Sequence, residues 1–386
     1  MTGRTSLMAQ SEKDSYVSIA DREGYYPFID GLRGIAILMV VAVHTGQALG
    51  MHETRDFLIP YVSRLIDCGS RGVQLFFILS AFTLFSSSFR RFQKDKLPRL
   101  CFYIRRAFRI LPLWWLANVV FGTTGSRRIL KILSSSLFAF GFVRYDIAND
   151  IVPGGWSLFV EETFYLFLPL IFYRLTSLKR SIYFLLLLFV VSISWRIVAR
   201  LGHLPESNGF AVAFPLNQWC CFGFGIVIFH LLKTPAWLAY AKRRDLMAVL
   251  DVASIVLLLW LVTALQFYIA TAALAFFVVM SSSETTLSGR FTRNRLLKRF
   301  GTYCYSIYLL HFLIVAACGP FLALIRDLRF ELRFFLGFVV VAACCLVCGH
   351  ISFYFFEKPS VDLGKRVIRR IQLKAARPRV VADLTA

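Results

Sequence analysis

Phe28 to Gly50 reads FIDGLRGIAILMVVAVHTGQALG. This is long and apolar enough to cross a bilayer as one helix. It nevertheless carries Asp30, Arg33, His44 and Gln47. Ionisable groups inside a spanning helix are costly and read as functional by default. Arg33 and His44 are eleven residues apart, about three turns plus roughly 20°, so they share a face with a rise of ~16 Å between them. Asp30 lies one turn before Arg33 and Gln47 one turn after His44, which gives a polar stripe running from one membrane surface toward the other. The alternative is a stripe that only packs against other helices, with Arg33 snorkelling to the headgroups.

Further along, CFYIRRAFRILPLWWL (101–116) places Arg105, Arg106 and Arg109 at the start of an apolar run. Arg106 and Arg109 are one turn apart and face the same way. Two guanidinium groups so placed make a fork for phosphate oxygens, or else they are an ordinary basic cluster at a membrane edge with Trp114 and Trp115 as interfacial aromatics. Pro112 should kink the helix. In PGGWSLFVEETFYLFLP (153–169), Pro153, Gly154 and Gly155 break the chain before a new helix that embeds Glu161 and Glu162. Ser157, Glu161 and Tyr165 recur every four residues and share a face. These carboxylates either do chemistry or partner the buried arginines.

Two more titratable groups lie in apolar runs. His311 follows Tyr308 by one turn in GTYCYSIYLLHFLI, as a hydrogen-bonded packing group or a competitor of His44. Glu357 lies at the edge of the last run, where Pro359 is expected to stop the helix. Ser80 sits within the apolar run 71–89. His230 and Asp251 read as interfacial, near span ends.

These residues need membrane helices to position them. The chain has 386 residues, 58% of them hydrophobic, too apolar for a soluble domain. The fold class is all-α, a polytopic integral membrane protein of about ten spans: 28–50, 72–89, 102–121, 156–175, 181–200, 211–232, 247–264, 267–283, 303–325 and 332–356. The run 129–143 is short and serine-bearing, and reads as a surface or re-entrant segment. A net charge of +22 raises nucleic acid as a partner, but the basic residues fall in short loops, which argues for topology instead. With the N-terminus cytoplasmic, 31 Lys and Arg fall on the inner side and 12 on the outer, so both termini are placed in the cytoplasm. The organisation is then a disordered lead-in over 1–27, a membrane domain over 28–359 and a basic tail over 360–386. The nine cysteines lie mostly in apolar runs and read as small packing groups, with no metal site.

The order of these pieces resembles the acyltransferase-3 family of membrane O-acyltransferases. FIDGLRGIAILMVVAVH resembles its opening motif, an Arg followed by ten residues and a His. GVQLFFILSAF, YIRRAFRILPLWW, WSLFVEETFYLFLPL, YCYSIYLLH and FEKP follow in the family's order over roughly residues 27–360. Ala81 stands where the family usually has Gly. The resemblance implies transfer of an acyl group, commonly acetyl, from cytoplasmic acyl-coenzyme A to a hydroxyl of a sugar, polysaccharide or lipid-linked glycan at or beyond the far side. It implies no permanently bound cofactor. On that reading Arg106 and Arg109 hold the donor's phosphates, and His44 is a general base or transient acyl carrier. Arg33 orients the donor or stabilises oxyanion charge, and Asp30 holds Arg33. Ser157, Glu161, Glu162, Tyr165, His311 and Glu357 support them. A polytopic transporter or channel with a charged intramembrane pathway is the rival expectation.

Overall fold

The structure is a computed structural model that describes residues 26–51, 59–122, 128–143, 151–202, 209–263 and 267–376. Nearly all of the expected lead-in, parts of the loop 122–155 and the last ten residues lie outside the described residues. Every regular element among the described residues is helical. The principal helices are α1 (Pro27–Ala48), α2 (Gly72–Lys94), α3 (Pro98–Phe121), α4 (Gly155–Ile171), α5 (Leu178–Leu201), α6 (Pro215–Leu231), α7 (Arg244–Thr263), α8 (Phe267–Ser281), α9 (Arg295–Thr302), α10 (Cys304–Ala317), α11 (Phe330–Ser352) and α12 (Lys358–Ala376).

Six helical stretches are long and apolar enough to cross a membrane: Pro27–Ala48, Ser63–Lys94, Gly155–Arg174, Leu178–Leu201, Phe210–Leu231 and Phe330–Ala375. The pair α9 and α10, bent by 81°, makes a seventh if taken together. The expected count of ten exceeds this for physical reasons. α3 carries Arg99, Arg105, Arg106 and Arg109, and the 15 residues of α8 rise only ~22 Å, short of the ~30 Å hydrocarbon core. The expected span 303–325 is interrupted, since α10 ends at Ala317 and a short helix Gly319–Leu324 follows. The run 129–143 holds a short helix, Arg128–Ser136, moored to α3 by Trp114 Nε1, which donates to the Ser135 carbonyl at 3.1 Å.

α1 is the central helix. Pro27 occupies its first turn, where a missing N–H is harmless. α1 packs against α2, α9, α10 and α11, and Leu32, Ala36, Ile37 and Val41 are fully enclosed. Its approach to α9 and the preceding short helix depends on two glycines. A Cβ at Gly31 would stand 1.6 Å from the Thr292 carbonyl oxygen, and one at Gly34 2.0 Å from that of Leu297. Backbone therefore meets backbone there, a contact open only to residues without a side chain.

Pro359 does not end the last helix. The chain passes from α11 through a π-helical turn, Phe353–Glu357, and continues as α12. Pro359 is the second residue of α12, a first-turn position where the ring is tolerated. The stretch expected as a tail is thus helical to Ala376 and packs on α3. Pro112 removes the N–H that would bond the Phe108 carbonyl, and Ser360 Oγ donates to that carbonyl at 2.5 Å instead. His230 and Asp251, expected at interfaces, are both buried. The His230 ring meets the Leu175 carbonyl at 3.0 Å, and Asp251 accepts from the Ser288 amide at 3.0 Å.

The close contact of α1 with α9 should be intolerant of a methyl group. Gly34→Ala is expected to cost about 1–3 kcal/mol through overpacking, read as a lowered melting temperature of detergent-solubilised protein, whereas Gly319→Ala, where a Cβ meets nothing, should leave melting unchanged.

Candidate active site

Several of the polar groups picked out in the sequence line one cavity of about 170 Å³, whereas Asp30, His44, Glu162, His311 and Glu357 do not. Its walls include Arg33, Ser80, Thr83, Arg106, Arg109, Ser157, Glu161, Tyr165, Tyr305 and Tyr308. They come from α1, α2, α3, α4 and α10, so five helices must be in register for it to form.

Arg33 is held from two sides. Its Nη1 meets Asp30 Oδ1 at 3.4 Å, and its Nη2 donates to Thr83 Oγ1 at 3.0 Å. The i,i+3 pair follows from helix geometry, whereas Thr83 arrives from α2. Glu161 accepts from Ser80 Oγ at 2.5 Å and from the Tyr165 hydroxyl, and Ser80 Oγ lies 2.6 Å from that hydroxyl. These are the hydrogen bonds that a carboxylate needs in a low-dielectric setting.

Arg106 and Arg109 share the cavity wall, as their spacing predicts, but their environments differ. Arg106 stacks over the Tyr165 ring, 5.7 Å from its centroid, and has no ion pair among the described residues. Arg109 Nη2 lies 3.6 Å from Glu357 Oε1, and the other oxygen of Glu357 accepts from Ser306 Oγ at 3.1 Å. Glu162 does not line the cavity, and its Oε1 is buried with no hydrogen-bond partner among the described residues.

Tyr308 also lines the cavity; its hydroxyl donates to the Gly154 carbonyl at 3.0 Å and lies 2.7 Å from Ser157 Oγ. Gly154 has φ +80°, a left-handed conformation that glycine adopts without penalty. The break expected at Pro153–Gly155 thus aims a carbonyl at Tyr308. Beyond Tyr308 lie the two histidines. The His311 ring is 5.6 Å from that of Tyr308 and 5.1 Å from that of His44. His311 is fully buried, and its Nδ1 lies 2.6 Å from the Tyr308 carbonyl. A carbonyl only accepts, so Nδ1 carries the proton and Nε2 is left with a bare lone pair. That Nε2 is buried without a hydrogen-bond partner among the described residues. His44 Nδ1 lies 2.9 Å from Gln47 Oε1, the i,i+3 contact that the sequence suggested.

A family model described as an acyltransferase domain, Acyl_transf_3, matches residues 26–350. The chain belongs to the acyltransferase-3 family. It is similar to the peptidoglycan O-acetyltransferase OatA of Listeria monocytogenes, 24% identical over 375 residues, 87% of this chain and 56% of that protein. YrhL of Bacillus subtilis, provisionally named a peptidoglycan O-acetyltransferase, is 22% identical over 391 residues, 90% of this chain and 56% of that protein. A Staphylococcus aureus (strain COL) protein provisionally named an O-acetyltransferase is 27% identical over 164 residues, 38% of this chain and 24% of that protein. The chain spans about half or less of the length of these curated relatives. No solved structure matches it.

Within this acyltransferase-3 domain the sequence reading missed Thr83 and Ser306 and gave Tyr305 no role. Tyr305 donates to the Ile110 carbonyl at 2.7 Å, two residues before Pro112. A small hydroxyl in an apolar run was the only available signal, and it does not say which distant charge the group will meet. The Arg109–Glu357 pair should behave as a coupled unit. Arg109→Leu alone strands a buried carboxylate and is expected to cost about 3–5 kcal/mol, and Arg109→Leu with Glu357→Leu should recover much of that. Melting of the two single variants and the double variant checks the coupling.

Proposed function

We propose that the protein is a membrane O-acyltransferase that takes an acyl group, acetyl in the first instance, from acyl-coenzyme A on the cytoplasmic side. It delivers the group to a hydroxyl of a sugar, polysaccharide or lipid-linked glycan at the far side. The observation that carries this reading is the cavity lined by Arg33, Arg106, Arg109 and Tyr308, with the His311 ring 5.6 Å from that of Tyr308 and the His44 ring 5.1 Å from that of His311. The family supports acyl transfer. The names of the relatives make a peptidoglycan-type glycan the first acceptor to test.

In the proposed reaction His44 removes the proton of the acceptor hydroxyl. The oxygen forms a bond to the thioester carbonyl carbon, the carbon–sulfur bond breaks, and the departing thiolate takes the proton from His44. A direct transfer needs no acyl-histidine; formation of one would make His44 the nucleophile. The ~16 Å rise from Arg33 to His44 is too long for Arg33 to touch an oxyanion formed beside the histidines. Its role is therefore to orient the donor, with Asp30 fixing its head.

The proposed topology has ten crossings, with α3, α7, α8 and the bent α9–α10 pair completing the six long spans and both termini cytoplasmic. The distribution of Lys and Arg, 31 to 12, supports it. Single cysteines placed near Arg293 and after Pro359 should be labelled only from the cytoplasmic side, and labelling from outside would overturn the topology and the donor side with it.

Transfer of labelled acetyl from acetyl-coenzyme A to glycan fragments by protein in liposomes tests the activity. His44→Ala should lower turnover on the order of 10²-fold or more without loss of expression, with His311→Ala giving the smaller loss. The reverse ranking would move the base to His311. Arg106→Ala, free of the structural burden that Arg109 carries toward Glu357, should weaken coenzyme A binding by roughly 1.5–3 kcal/mol.

A further inference from the structure

A second cavity, of about 430 Å³, opens where α2 ends and α3 begins. Its walls include Arg91, Arg105, Arg106, Arg109, Lys365 and Arg369, with Asp95 as the acid among them. Arg106 and Arg109 line both this cavity and the first, so the two share a wall of guanidinium groups. Three of the six cations have carboxylate partners. Arg105 meets Asp95 at 2.5 Å, Arg109 meets Glu357 at 3.6 Å and Lys365 meets Asp362 at 2.8 Å. Arg91, Arg106 and Arg369 have no ion pair among the described residues. Six cations around one small volume, with Asp95 the acid that lines it, favour an anion there.

The outer wall of this cavity is α12, which is fixed on α3 by specific contacts. Ser360 Oγ holds the Phe108 carbonyl at 2.5 Å. Gly364 lies so close to Phe108 that a Cβ there would come within 2.8 Å of the Phe108 Cβ. Gln372 Nε2 donates to Asp95 Oδ1 at 2.6 Å, the same carboxylate that holds Arg105. Lys365 and Arg369 are one turn apart on α12 and line the same space.

We propose that this cavity is a phosphate subsite for the nucleotide end of the acyl donor, with the C-terminal helix supplying Lys365 and Arg369. The inference rests on the acyl-coenzyme A reading above. Several separated cations suit a ligand that bears more than one phosphate group. The shared arginine wall lets a ligand whose phosphates sit here extend its arm into the first cavity. Phosphate chemistry is also presented by anionic lipid headgroups, and the two sources separate experimentally.

The test measures Kd for coenzyme A, adenosine 3′,5′-bisphosphate and pantetheine on the full chain in phosphatidylcholine nanodiscs. Lys365→Gln with Arg369→Gln should weaken coenzyme A and the bisphosphate about tenfold or more and leave pantetheine unchanged. Arg366→Gln with Arg370→Gln, an equal charge change on the same helix, should alter none of them. Return of affinity in Lys365→Gln with Arg369→Lys would support a charge contact over a folding effect. Unchanged coenzyme A affinity in the double variant, or an equal loss for pantetheine, overturns the subsite. If the parent binds coenzyme A but not the bisphosphate, the subsite falls while the donor reading stands. If it binds neither, both fall. If phosphatidylglycerol in the nanodisc displaces the bisphosphate from the parent and the double variant loses only its lipid response, the cavity holds a headgroup and the nucleotide assignment is wrong.

Discussion

A charge taken out of water must be met by another charge or by several hydrogen bonds, and this constraint orders the helices here. Arg33 on α1 is met by Thr83 on α2. Glu161 on α4 is met by Ser80 on α2. Glu357 in the π turn is met by Arg109 on α3 and Ser306 on α10. Each contact joins elements far apart in sequence, so together they fix which helix neighbours which. Apolar residues of similar size would often stabilise such a bundle as well or better. Stability alone therefore does not account for the buried ions, of which Arg33, Arg109 and Glu161 line one cavity.

What could be read from the sequence was what depends on local geometry. The i,i+3 contacts of Asp30 with Arg33 and of His44 with Gln47, the shared face of Ser157, Glu161 and Tyr165, and the chain break at Pro153–Gly155 all follow from helix periodicity and backbone sterics. Pairings across fifty or more residues could not be read that way, because nothing in the run around Thr83 or Ser80 says which helix it will face. In the sequence His311 reads either as a packing group or as a competitor of His44, because an isolated histidine in an apolar helix carries no sign of its neighbour. Only the crossing of α1 and α10 puts its ring beside His44. The ten apolar runs and the six helices long and apolar enough to cross a membrane differ for a related reason. Hydropathy finds apolar runs, but it does not register that α8 is short or that α9 meets α10 at 81°.

The two prolines near the second cavity illustrate how a local rule has a distant effect. Pro112 leaves the Phe108 carbonyl without its helical donor, and a bare carbonyl in an apolar setting is unfavourable. Ser360 supplies the missing hydrogen bond, and it can do so because the π turn carries the chain past Glu357 without ending the helix. The rule that proline stops helices failed at Pro359, since the wider turn just before it starts a new helical run and makes it a first-turn residue.

Distance then limits what any ligand of this bundle has to be. Arg33 and His44 are separated by ~16 Å along one helix, and the more basic cavity shares Arg106 and Arg109 with the first. A small anion would satisfy the arginines and leave the histidines untouched. A wholly apolar ligand would do the reverse and leave guanidinium groups bare. A molecule charged at one end, slender through its middle and reactive at the other would meet both cavities at once. The donor proposed above, an acyl thioester on a phosphate-bearing carrier, has that form, and on that proposal the long spacing within α1 and the arginines shared by the two cavities answer one requirement.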